Sequence, residues 1–247
     1  MPAHSLIYKS VNRPLGRALA DYSMIADGDR ILVAVSGGKD SVTLLKLLSD
    51  RLSYAPVKYT LFPVYVDAGF EPSIAEPLQK MIADLTGQSL RVEKTDFGPE
   101  AHLRKNPCFT CSRMRRKRLF EVADELGCGT IALGHNRDDW VETLFINMFY
   151  AGEISTMLPV QPFFEGRFTV VRPLCYALSH RIREFAKEAG FQTFPNACPS
   201  SQDSRRGDIR DMLDVLYRKN PKIRGNLFHA MHNVRSDYLP PIMPTVE

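Results

Sequence analysis

No stretch of the 247-residue sequence approaches the roughly 18 consecutive apolar residues that a membrane-spanning helix needs. Its opening, MPAHSLIYKSVNRPLG, lacks the apolar segment of a secretory leader, so a cytoplasmic protein is expected. Cysteine is sparse and odd in number, five in all. An odd count without an export signal argues against a disulfide framework and for reduced thiols. Charge of one sign is not in large excess either. The 32 basic against 28 acidic side chains leave a net charge of +4, too mild by itself to argue for a polyanionic partner. Internal repeats and low-complexity linkers are absent. With 44% hydrophobic and 24% charged residues, the composition is that of a globular chain with a sizeable core.

What is present alternates. Residues 31–35, ILVAV, read as a short strand buried on both faces, and SVTLLKLLSDR from Ser41 has leucines at helical spacing. A second strand is expected at 58–66, closed by Asp67-Ala68-Gly69. A helix near 72–86, a strand near 89–94, a helix near 112–126, a strand at 130–134 and a helix from Asp138 to Tyr150 follow. Such alternation predicts an α/β fold, a doubly wound and mainly parallel sheet covered by helices. After Gly152 the pattern changes. A Glu-Gly turn separates two apolar runs, and helices are expected at 179–190, 204–219 and 224–234, before a proline-rich extended tail. The expected organisation is an N-terminal helical segment at 1–27, a nucleotide-binding domain at 28–152, and a mostly helical part at 153–247 packed on it.

Between the first strand and its helix lies Val35-Ser36-Gly37-Gly38-Lys39-Asp40-Ser41. A strand-to-helix turn gathers backbone N–H groups and the positive end of a helix at one point, which suits phosphate oxygens. Gly37 and Gly38 permit close approach, Ser36 and Ser41 offer hydroxyls, and Lys39 supplies a cation. Neither the Walker spacing nor a G-x-G-x-x-G is there. Asp40 is therefore informative: a carboxylate beside polyphosphate repels it unless a cation lies between, so Asp40 reads as a magnesium ligand or a neighbour of one.

Cys108 and Cys111 form a C-x-x-C, which is half of a tetrahedral site, and no second C-x-x-C exists to complete a four-cysteine zinc ribbon. Cys128, in ELGCGT, and Cys175, in RPLCYAL, read as small buried side chains. Cys198 stands in the polar loop FPNACPSSQ and is the best third ligand. Three thiolates suit a cubane iron–sulfur cluster with one iron left open. A redox pair and a structural zinc completed by another residue type are the alternatives. Five of the six residues 113–118 are basic, and a helix cannot aim five neighbouring side chains one way, so some must face the site and others solvent. A second basic group, Arg205, Arg206, Arg210, Arg218, Lys219, Lys222 and Arg224, follows Cys198; together the two suit a polyanion such as RNA. GHNRDDWVET, ending the fourth strand, belongs beside the phosphate loop, because open parallel sheets bind ligands at the C-terminal ends of their strands. Asp138 or Asp139 is expected to cap the helix, leaving the other for magnesium or proton transfer.

SGGKDS resembles the PP-loop of the ATP pyrophosphatases, which cleave ATP between its α- and β-phosphates to adenylylate an acceptor oxygen. SGGKDS, C-x-x-C-S-R-x-R-R, LGHNRDDWVETLFINMFY, RPL and a late cysteine, in that order from about residue 10 to 235, are similar to the tRNA 2-thiocytidine synthetase family. The resemblance implies the adenine nucleotide alpha hydrolase-like PP-loop fold, ATP, Mg2+ and a 4Fe-4S cluster, tRNA as partner with a cysteine desulfurase or sulfide as sulfur donor, and a homodimer. Carried over by position, Cys108, Cys111 and Cys198 match the cluster ligands, and Ser36, Gly37, Gly38, Lys39, Asp40 and Ser41 the ATP loop. Asp67 matches the strand end near the adenosine, Gly134, His135 and Asp139 the second nucleotide loop, and Arg115 a basic active-site residue. NACPSSQ departs from the expected CNLCGSQ in holding one cysteine instead of two. The zinc knuckles of thermophilic 2-thiouridine synthetases are missing, and lysidine synthetases need no C-x-x-C. The remaining alternative is a PP-loop ligase or amidotransferase with zinc at the cysteines.

Overall fold

The structure, a computed structural model, describes residues 5–194, 198–199 and 205–240. The expected extended tail after residue 240, the first four residues, and most of the NACPSSQ loop lie outside the described residues.

Among the described residues six strands form one sheet in the order β3-β2-β1-β4-β6-β5. β1 (Asp29–Ala34) pairs in parallel with β2 (Tyr59–Asp67) on one side and β4 (Thr130–Ala132) on the other. β3 (Arg91–Lys94) extends the sheet beyond β2, and β6 (Phe168–Val171) beyond β4, both parallel. β5 (Val160–Phe163) is antiparallel, hairpin-joined to β6 at the edge. The sheet therefore runs across position 152.

The sequence of β1 explains its central place. Ile31 and Val33 enter a core on one face, with Leu44, Leu45 and Leu48 of α2 (Lys39–Arg51), Leu78 and Ile82 of α3 (Ala75–Thr86), and Phe185 of α7 (Ser179–Glu188). Leu32 enters a second core on the other face, with Val64, Val66, Ile131, and Phe120 and Val122 of α5 (Pro107–Glu125). Successive strand residues point to opposite faces, so an uninterrupted apolar run serves two cores at once. α1 (Leu6–Asp21) starts at Ser5, whose hydroxyl accepts from Tyr8 N, and buries Tyr8, Val11, Leu15 and Ala18 on the face that packs against α7. A short α4 (Phe97–His102), not foreseen from the pattern, precedes α5.

α6 (Arg137–Tyr150) follows β4, and α8 (Arg205–Lys219) and α9 (Lys222–Ala230) lie against it. A third apolar group, Val141, Ile209 and Leu213, joins them. Among the described residues no helix is long and apolar enough to cross a membrane.

Candidate active site

The chain leaves β1 and β4 in the same direction but turns toward opposite flanks of the sheet, which opens a crevice at their C-terminal ends. Both predicted nucleotide loops lie there. In the first, Gly37 adopts φ +80, and a Cβ on it would lie 2.6 Å from Ile74 Cδ1. Gly38 is the N-cap of α2 and has no side chain to satisfy the helix's first N–H groups, which leaves them for a ligand. Ser41 Oγ accepts from Ser36 N at 3.0 Å, lies 3.1 Å from Ser36 Oγ and donates to Gly38 O at 3.0 Å, so the two serines brace the turn. Lys39 Nζ donates to Asp40 Oδ2 at 2.7 Å.

The second loop is pinned to the first. Asn136 Nδ2 donates to Asp40 Oδ1 at 2.9 Å. Gly134 approaches α2 so closely that a Cβ would stand 2.8 Å from Ser41 N. The expected cap is corrected here: neither aspartate is the N-cap of α6. Asn136 holds that place, its Oδ1 accepting from Asp138 N and Asp139 N, while Asp139 Oδ2 accepts from Asn136 N at 2.8 Å to complete a capping box. Asp138 is spoken for, since it accepts from Ser179 N at 2.7 Å and from Arg224 Nη1 at 2.5 Å. Burial pushes the Asp139 carboxyl up to about 6 against the lowering bond from Asn136 N, and the nearby Asp40 and Glu142 charges add to it. A cation would relieve that crowding of acids.

Lys39, Asp40, Asn136 and Asp139 line a polar cleft of about 190 Å³, walled by α7, α8 and α9 through residues such as Arg183, Arg210 and Arg224. Buried Glu142 anchors that wall, with Arg210 Nε and Nη2 donating to its two oxygens at 2.9 and 3.0 Å and Arg206 at 3.7 Å. Sequence reasoning passed over Asn136 and Glu142. The N-x-x-D spacing of a capping box would have found the first; the second carried no signal, because its partners lie 60 residues or more downstream.

His135 points a shielded Nδ1 that has no partner among the described residues. Burial first, then the charges of Arg172, Arg206 and Arg116, lower its pKa to about 3, so the ring is neutral at pH 7. Asp67, at the end of β2, is 7% exposed and accepts from Gly69 N and Ser73 Oγ.

The C-x-x-C does not precede a helix; it forms the first turn of α5, with Pro107 ahead of it. Pro suits a helix's first position because the missing N–H would be unpaired there. Cys108 is exposed, Cys111 and Cys198 are half-buried, and none of the three is in a disulfide. Cys111 feels both of the others: burial raises its pKa, Arg115 opposes the rise, and Cys198 and Cys108 add to it. Arg115 also acts on Tyr65 of β2, and its Nε has no partner among the described residues. By its chemistry, a set of three thiols with a guanidinium near one of them is of the kind that suits a cluster. Among the described residues no three His, Cys, Asp or Glu close on a single metal position. Cys128 and Cys175 are 1% and 0% exposed, as their surroundings in the sequence led one to expect.

The basic run of α5 divides as helix geometry requires. Arg115 acts on Cys111, Arg118 pairs with Glu93, Glu121 and Glu125, and Arg113, Arg116 and Lys117 face solvent. Of the second basic group, Arg206, Arg210 and Arg224 are held by Glu142 and Asp138, whereas Arg218, Lys219 and Lys222 are exposed. The structure thus brings Lys39, Asp40 and Asp139 into one cleft. Asp67, Arg115, His135 and the three thiols are not among its walls.

A family model described as a PP-loop domain matches residues 7–215. The chain is 38% identical over 238 residues to a tRNA-cytidine(32) 2-sulfurtransferase of Geobacter sulfurreducens, covering 94% of this chain and 92% of that one. It is 39% identical over 243 residues to the enzyme of the same name from Cronobacter sakazakii, covering 94% and 76%. Among solved structures its fold is similar to the U34-tRNA thiolase NcsA from Methanococcus maripaludis with its [4Fe-4S] cluster, with TM-score 0.74, 21% identity, and 92% and 78% of the two chains covered. The fold of an NH3-dependent NAD synthetase from Campylobacter jejuni is more distant, with TM-score 0.51 and 13% identity over 98% of this chain and all of that one. With a PP-loop match over most of its length and relatives of such identity over nearly all of it, the chain belongs to the PP-loop family and, within it, to the tRNA-cytidine(32) 2-sulfurtransferases.

Proposed function

We propose that this protein replaces the C2 oxygen of a tRNA cytidine with sulfur at the expense of ATP. The observation that carries the reading is the Asn136–Asp40 link, which locks two nucleotide loops together at the mouth of one cleft, on a chain in which Cys108, Cys111 and Cys198 are all outside any disulfide.

The base oxygen attacks the α-phosphorus of ATP, the bond from that phosphorus to the bridging oxygen breaks, and pyrophosphate leaves toward the N-terminus of α2. The free N–H groups there, the hydroxyls of Ser36 and Ser41, and Lys39 receive it, with Gly37 and Gly38 letting it approach. Asp67 orients the adenosine side, and Gly134 keeps the second loop against the first. His135, neutral at working pH, offers a shielded ring nitrogen to a polar group without adding charge. Asp40 and Asp139 would hold Mg2+, which when bound offsets polyphosphate charge. Lys39 and Arg115 stabilise charge developing on the phosphoryl oxygens. A sulfur nucleophile then adds at C2, and AMP departs with the original oxygen. Cys108, Cys111 and Cys198 would hold a 4Fe-4S cluster, which when bound supplies an iron without a protein ligand to carry that sulfur. Sulfide or a cysteine desulfurase is the donor, and the working form is a homodimer. The test is product analysis with tRNA present: AMP and pyrophosphate are expected, and ADP would contradict the scheme.

A further inference from the structure

We infer that the open groove between α5 and the β5–β6 hairpin binds an unpaired nucleobase of RNA, stacked on Phe164, with the adjoining phosphates on Arg113, Arg116 and Lys117. The inference rests on the tRNA reading above and adds a docking point to it.

The groove, of about 400 Å³, has Phe120 and Phe163 among its walls and Phe164 at its rim. Phe164 is 64% exposed at the hairpin tip. Its φ is +52, next to Glu165 at +56, a conformation a bulky side chain rarely takes and a turn would more readily give to glycine or asparagine. An aromatic ring in such strained backbone at a tip, most of it left exposed, points to a use beyond burial. The ring is nonetheless fixed: it meets Phe120 at 5.1 Å and 85° and Phe168 at 6.0 Å and 82°. These edge contacts set its orientation while most of the residue stays open.

The cations fit the same occupant. Arg113, Arg116, Lys117 and Phe120 share one face of α5 at spacings of three and four residues. Neither Arg113 nor Arg116 forms an ion pair among the described residues, and Lys117 has only Glu121 at 3.7 Å. Arg118, one position on, is by contrast consumed by three acids. An aromatic platform beside cations that acids leave largely free recognises single-stranded nucleic acid, whose bases stack while its phosphates pair. Cys111 lies nine positions before Phe120 on the same helix, about 14 Å along its axis, so one RNA loop can reach both groove and thiols.

The test uses the full chain and a tRNA transcript, reading affinity by anisotropy without requiring turnover. F164L keeps an apolar side chain on Phe120 but removes the stack; it should weaken tRNA binding about fivefold to a hundredfold and leave ATP affinity unchanged. F164W should restore binding, and the emission of its new indole should quench on adding tRNA, against the buried Trp140 background. The R113A/R116A double variant should lower the slope of log Kd against log salt by about 1.4. If wild type binds tRNA but these variants bind it equally well, the groove is not an RNA site and the tRNA reading stands. If F164L fails to fold, the F164W emission decides, and no quenching overturns the inference. If wild type binds no tRNA at all, the functional reading falls and the groove's role falls with it.

Discussion

Replacing Gly134 with alanine places a methyl group where the two nucleotide loops touch. Its Cβ would lie 2.8 Å from Ser41 N, 2.9 Å from Ser41 Cα and 3.0 Å from Asp40 C. All three are backbone atoms at the start of α2, so no side chain can swing away. Ordinary contact needs about 3.5 Å, and the first turn of α2 must therefore retreat by about 0.7 Å. Overpacking of this kind costs about 1–3 kcal/mol, or about 2–12 °C in melting temperature for a chain of this size. The retreat also stretches the Asn136–Asp40 bond and misplaces the N–H groups proposed to receive pyrophosphate; displacements near 1 Å cost up to about 100-fold in rate. Calorimetry with ATP and thermal melts should show Gly134→Ala binding ATP at least tenfold more weakly. Gly129→Ala, which meets nothing within 4 Å, should leave both unchanged. Wild-type affinity and melting in Gly134→Ala would refute the argument that the loops are in contact at this point.

Further outcomes follow from the same geometry. Without added cation, the Asp139 carboxyl should titrate near pH 6 by side-chain 13C NMR and shift down on adding Mg2+; titration in the ordinary carboxylate range would contradict its burial. Because that pKa is raised on folding, its contribution to stability is present below about pH 4 and is lost as pH rises through about 6, a trend Asp139→Asn should remove from melts taken across that range. Arg210→Ala leaves Glu142 with only the more distant Arg206 and should cost about 1–3 kcal/mol in urea denaturation, discounted because Arg210 is half exposed. In native protein at pH 8, iodoacetamide should label Cys108 first and leave Cys128 and Cys175 intact, since burial pushes their thiols up to about 11 and 12. Anaerobic reconstitution should load about four irons, and Cys108→Ser, Cys111→Ser or Cys198→Ser should lose them without change in the circular dichroism spectrum.

Local chemistry was legible in the sequence where one short segment carries all of it. ILVAV announced a strand buried on both faces, SGGKDS a turn into a helix N-terminus, and ELGCGT a buried thiol; each rests on neighbours within a few residues. What the pattern misjudged depends on partners far away or on competition between similar side chains. Asp138 and Asp139 each have the character of a cap, but Asn136 precedes them and takes the role, because only from there can one side chain reach both N–H groups. α5 starts at Pro107, five residues before the expected start near 112, because Cys, Phe and Thr give little helical signal although Pro suits a helix's first position. Which arginines remain available was not legible at all. Arg118 and Arg210 look no different from Arg116 in the chain, and only the fold sets Glu93 and Glu142 against them.

The central claim, sulfur transfer to a tRNA cytidine, is met most directly by mass spectrometry of tRNA nucleosides. Cells lacking this protein should lose 2-thiocytidine, recover it with the wild-type chain, and fail to recover it with Asp40→Ala or Cys111→Ser expressed at the same level. An unchanged thionucleoside profile on deletion, or full recovery with both variants, would contradict it.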